Sequence, residues 1–209
     1  KYIEDDDVLR IYSDGLSIYK KYELNIESKY SQIYKSNGND LNCGRHKLIF
    51  NELDIIPEFC FNCYKVQVQP SSVIDLIKLY CLFDQLVLGK QNTRKCIIEM
   101  RKNIKGFYKG LIYCSSLEEA MEVKNNLNQL IKRTNLEAII KRGCSEYPLK
   151  FPEYKKISKD KNRQMNYNEN WKSLENEFDK QYKNHVNHKE TISGFNLDSF
   201  LIIRNWLSY

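Results

Sequence analysis

The sequence predicts an α+β protein built on a ferredoxin-like β-α-β-β-α-β core. Three observations carry this reading. The run YKVQVQ at 64–69 alternates polar and apolar residues with the period of a half-buried strand. Two later helical stretches each open on a serine with an acidic residue three positions on: Ser72 with Asp75, and Ser116 with Glu119. Between residues 61 and 142 the segments then come in the order strand, helix, strand, strand, helix, strand.

Taken in chain order, residues 5–35 read as helix. Asp5, Asp6 and Asp7 suit a helix N-terminus. Val8, Ile11, Tyr12, Leu16, Tyr19, Ile26, Tyr30 and Ile33 recur at near-helical spacing, with a break at Asp14-Gly15. KSNGND at 35–40 is turn chemistry and marks a boundary, and KLIF at 47–50 reads as a short extra strand. After the first core strand, Pro70 and Ser72 lead into SVIDLIKLYCLFDQLV as a helix. RKCIIEMR is the second strand and FYKGLIYC the third. SSLEEAMEVKNNLNQLIKR is the second helix, with Leu117, Ala120, Leu127, Leu130 and Ile131 on one face. LEAIIKR at 136–142 closes the core. Beyond it lie an irregular basic connection with two prolines, an amphipathic helix around Trp171, Leu174 and Phe178, and an apolar helix in LDSFLIIRNWLSY. Three segments result: 1–42, an N-terminal helical segment; 43–149, the ferredoxin-like sandwich; and 150–209, the basic connection with C-terminal helices that pack on the core.

The chain has 209 residues, 42% hydrophobic and 29% charged, with a net charge of +6. This composition excludes disorder and is compatible with an anionic partner without demanding one. The longest apolar run is broken by charge and falls short of a membrane span. Lys1 stands where a complete chain would begin with Met, so a fragment of a larger protein or assembly is expected. Seven cysteines are scattered through strands and helices, which fits reduced thiols in the cytoplasm and not a disulfide scaffold.

The topology brings separated cysteines together. Cys60 and Cys63 precede the first core strand, Cys114 ends the third, Cys144 follows the fourth and Cys96 enters the second. In a sheet ordered 4-1-3-2 these positions meet on one rim. Cys60, Cys63, Cys114 and Cys144 are therefore a candidate four-thiolate set for zinc or an iron–sulfur cluster. Cys96 and Cys43 stand in reserve, the latter with His46. Packing alone is the competing reading, since free cysteine is often buried as a small hydrophobe.

Both helices of such a core cover one face of the sheet. Val66, Val68, Ile98 and Met100 are expected to face them. The open face then carries Lys65, Gln67, Gln69, Glu99, Arg101, Lys109, Tyr113 and Lys141. Three functions follow. The first is a metal-binding accessory domain. The second is an enzyme acting on a small anionic or carbohydrate-like substrate, with Glu99 as base beside Lys65, Arg101 and Lys109. The third, a weak RNA-binding module, is disfavoured because KGFYKGLIYC departs from the aromatic pattern of an RNA-recognition strand. His185-x-x-His188 reads as an exposed basic segment. The nucleotide-binding and hydrolase motifs with glycine-rich or G-x-S-x-G signatures are missing.

Overall fold

A computed structural model describes residues 2–36, 41–90, 92–182 and 195–209. His185 and His188 lie outside these residues. The chain forms a mixed α+β structure around a five-stranded antiparallel sheet, with seven α-helices among the described residues. Helix α1 spans Asp5–Lys21, β1 Gln32–Ser36, α2 Cys43–Leu53, β2 Tyr64–Val68 and α3 Val73–Gln85. There follow β3 Arg94–Ile98, β4 Tyr108–Cys114, α4 Leu117–Leu130 and β5 Ala138–Arg142. Short helix α5 is Tyr147–Lys150, α6 is Trp171–Gln181 and α7 is Leu197–Trp206. None of these is long and apolar enough to cross a membrane.

The sheet order is β1-β3-β4-β2-β5, and every neighbouring pair is antiparallel. The serine caps act as the sequence suggests. Ser72 Oγ accepts from the Asp75 amide and Ser116 Oγ from the Glu119 amide, each at 3.1 Å. Period-two alternation then sorts the strands. Val66 and Val68, Cys96 and Ile98, Ile112 and Cys114 point into one apolar cluster with α3 and α4. Helix α3 lies close on β4 because Gly110 has no side chain; a Cβ there would sit 2.3 Å from Leu79 Cδ2. Val8 of α1 and Ile202, Ile203 and Trp206 of α7 extend the same cluster, and Trp206 Nε1 donates to Ser31 O at 2.9 Å.

Two elements differ from the sequence reading. The expected helix over 5–35 ends at Lys21, where Glu23 takes a left-handed conformation (φ 49°). The chain then returns as β1 on the free edge of β3, with Ile33 opposite Cys96. Ile26 and Tyr30, which extended the helical spacing, are exposed, so that periodicity was coincidental. The second difference is KLIF, which is helical within α2. His46 and Ile49 are buried three residues apart, as one helix face requires, and left-handed Asp54 ends the helix.

A second, smaller cluster lies outside the main core. Ile56, Cys60, Tyr147 and Tyr154 are buried there against Phe50, Phe61, Phe151 and Trp171. Tyr154 Oη donates to Cys60 O at 2.7 Å, and Tyr147 Oη to His46 O at 3.3 Å. Arg45 ties α2 to α6 through Glu175 and Asp179. In the basic connection several cations have carboxylate partners: Lys150 pairs with Asp54, Lys156 with Glu153 and Arg163 with Asp160.

Candidate functional site

The sheet face away from α3 and α4 is roofed, not open. Helix α2, the turn around Phe59 and Cys60, and the segment 143–147 stand over it and enclose a cavity of about 570 Å³. That is within the range of small-molecule sites, which span about 300–1,000 Å³. The floor comes from alternate residues of three strands: Lys65 on β2, Lys95 and Ile97 on β3, and Lys109, Leu111 and Tyr113 on β4. Lys65 sits directly between Tyr113 and Lys141 across the strands.

Five cations line the cavity, Lys47, Lys65, Lys95, Arg101 and Lys109, against the carboxylates Glu99 and Glu146. Those carboxylates are already engaged. Glu99 accepts from Arg101 Nε and Nη2, both at 2.8 Å, and from Lys109 Nζ at 3.1 Å. Burial alone would raise the Glu99 pKa, but these hydrogen bonds outweigh it and hold the carboxyl at about 2. Arg101 is correspondingly raised, chiefly by Glu99. Glu146 pairs with Arg101 and, at 4.0 Å, with Lys47.

Lys65 and Lys95 are different. Lys65 is only 3% exposed, and its Nζ donates to Ser145 Oγ at 2.5 Å. Lys95 Nζ donates to Gln32 Oε1 at 3.2 Å and lies over the rings of Tyr34 and Tyr113. Among the described residues neither has a carboxylate partner. Burial, aided by Lys109, Lys141 and Lys95, pulls the Lys65 pKa down to about 8. Burial likewise lowers Lys95.

The residues singled out from sequence do not all gather at one place. Lys65, Glu99, Arg101, Lys109 and Tyr113 meet at the cavity, together with Cys43, Cys60, Cys63 and Cys144. Gln67 is buried on the same sheet face away from the cavity lining, with Nε2 unpartnered among the described residues. Lys141 stands beside Lys65 without lining the cavity, and burial lowers its pKa. Met100 lies past the end of β3 and is exposed, not packed on the helices. The strand ends do bring Cys63 and Cys114 to one rim, flanking Tyr64 on the paired strands β2 and β4. Their side chains part, however. Cys114 shares the Tyr64 face and enters the main core, whereas Cys63 is one residue off and falls on the Lys65 face. Cys96 lies opposite Gly110 within the sheet and is also in the core.

Cys63 Sγ occupies the space beside Gly143, where a Cβ would sit 2.3 Å from it. Burial pushes the Cys63 thiol up to about 12 and Cys60 well above its ordinary value. Among the described residues no group of three His, Cys, Asp or Glu side chains is arranged to hold a metal ion. Sequence reasoning did not single out Lys95, Ser145 or Glu146. Lys95 was within reach: counting back in twos from Glu99 places it on the same face. Ser145 and Glu146 follow the last strand, where no periodicity applies.

No protein-family model, curated protein or solved structure matches this chain.

Proposed function

We propose that this chain binds a small anionic ligand in the cavity between the sheet and α2, on a ferredoxin-like core to which β1 is added as an edge strand. The observation that carries the reading is the pair of lysines without a carboxylate, the buried Lys65 and the half-buried Lys95. Burying a charge without a counter-charge costs several kcal/mol, on the order of the stability of a whole domain. Two other buried lysines have a carboxylate within the chain, Lys35 on Asp84 and Lys109 on Glu99. A cavity that leaves two cations for an incoming anion is therefore a binding site. Glu99 belongs to its frame: clamped by Arg101 and Lys109, it orients those cations and stays ionised. An enzyme acting on that anion is the natural extension.

The reading is tested by amide-resolved NMR titration with inorganic phosphate, citrate and pyruvate at constant ionic strength. Perturbations are expected to gather on Lys65, Lys95, Lys109 and Ser145. Scattered shifts, or none at about 10 mM of every anion, would reject the site, because such binding is weaker than any functional pocket requires.

A second reading has one observation in its favour. Cys43, Cys60, Cys63 and Cys144 line the same cavity. Drawn together as thiolates they would suit zinc or an iron–sulfur cluster, with Cys43 replacing the Cys114 expected from the sequence. Loading would have to displace the protons that burial holds on Cys60 and Cys63. Elemental analysis of protein purified without oxygen decides it: below about a tenth of an equivalent of zinc or iron, the thiols are packing residues.

A further inference from the structure

Lys65 has more than a charge to offer a ligand. It lines the cavity beside Ser145, to which its Nζ donates, and it sits inside β2 with a paired strand on each side. A side chain on a central strand is held more closely than one on a loop. Ser145 Oγ anchors the amine from one side, and no carboxylate among the described residues holds it as an ion pair. An amine that is enclosed, surrounded by other cations and free of a counter-charge is the arrangement that turns lysine into a nucleophile.

We propose that Lys65 condenses with the carbonyl group of a small oxo acid whose carboxylate is held by Lys95. This rests on the anion-binding reading above and extends it from binding to covalent chemistry. The neutral amine donates its lone pair to the carbonyl carbon, and the π pair moves onto oxygen. The nitrogen releases a proton and the oxygen gains one, giving a carbinolamine. Protonation of its hydroxyl by water-borne acid lets it leave as water while the nitrogen lone pair closes the C=N bond. The net change consumes one proton and the carbonyl compound, yields a cationic imine and one water, and involves no oxidation. With its pKa at about 8 against an ordinary 10.5, Lys65 holds on the order of a hundredfold more neutral amine at pH 7 than an exposed lysine.

The test uses pyruvate with cyanoborohydride, a hydride donor that reduces the imine to a stable secondary amine, read by intact mass and peptide mapping. One adduct on Lys65 is expected, at about tenfold or more the labelling of any other lysine. The yield at fixed time should rise with pH up to about 8. Lys65→Arg should keep the cavity cation and lose the adduct, and Lys95→Met should require about tenfold more pyruvate for the same yield. Lactate, which has the carboxylate but no carbonyl, separates the two levels of the account. If lactate and pyruvate both perturb the cavity amides and no Lys65 adduct forms, the condensation is wrong and anion binding stands. If neither perturbs them, anion binding fails and takes the condensation with it. Labelling spread evenly over surface lysines also overturns the proposal.

Discussion

The two faces of one sheet are built on opposite principles. Toward α3 and α4, β2 presents Val66 and Val68, β3 Ile98 and β4 Ile112, all fully or almost fully buried in an apolar cluster. On the alternate positions, the other face buries Lys65, Lys109 and, just past β3, Glu99. These residues are buried on both sides, yet only one side gains from it. The apolar face gains about 25 cal/mol for each Å² removed from water, whereas the charged face incurs a desolvation cost that its ion pairs meet only in part. A protein tolerates such a cost where the groups have work to do, and stability is commonly the quantity sacrificed.

The contrast is broken most severely from the apolar side. Ile112→Ala should destabilise the fold by about 2–5 kcal/mol, read from the urea midpoint, since a cavity opens in the apolar cluster between the sheet and its helices. From the charged side the sign should reverse. Lys65→Met is expected to stabilise at pH 7 by about 3 kcal/mol, the equivalent of holding the lysine pKa near 8 and not 10.5. The folded state releases this proton first, so between pH 8 and 10.5 the unfolded chain binds more protons and wild-type stability rises with pH. The variant lacks that rise, and its advantage disappears above about pH 10.5.

Glu99→Gln sharpens the comparison, because Glu99 is the charged-face residue that does meet its partners. Its loss leaves Lys109 buried without a carboxylate and should cost about 2 kcal/mol at neutral pH. Here the folded pKa is depressed, to about 2, so the contribution is full above the unfolded value near 4.5 and is lost as pH falls through 2. Wild type and variant should therefore converge in acid titrations followed by circular dichroism. The smallest effect lies in the roof. Tyr154→Phe removes the hydrogen bond to Cys60 O and should cost about 1 kcal/mol in thermal or urea unfolding.

What was legible in the sequence follows the same division. Strand alternation and serine caps are local signals, so β2, α3, α4 and the inward faces of Val66, Val68 and Ile98 could be read from Tyr64, Ser72, Ser116 and their neighbours. The roof could not. Helix α2 reaches the cavity through contacts distant in sequence, such as Tyr147 Oη with His46 O, and KLIF has no local feature that separates strand from helix. β1 was hidden for a related reason: only the free edge of β3 makes Gln32–Ser36 a strand. The cysteines show the limit most plainly. Topology brings the chain ends to one rim, but a single-residue offset between Cys63 and Tyr64 decides that Cys63 faces the cavity and Cys114 the core.

If the charged face gives up stability to keep cations for an anion, a bound anion should restore some of it. This is read most directly from the melting temperature of wild type and of Lys65→Met in rising pyruvate, against sodium chloride at matched ionic strength. A ligand at a hundred times its Kd adds about 2.7 kcal/mol, enough for a shift of several degrees. Pyruvate, beyond the chloride control, should raise the wild-type melting temperature and leave that of the variant, though higher at the outset, unmoved. Equal rises in the two proteins, or none in either, would contradict this.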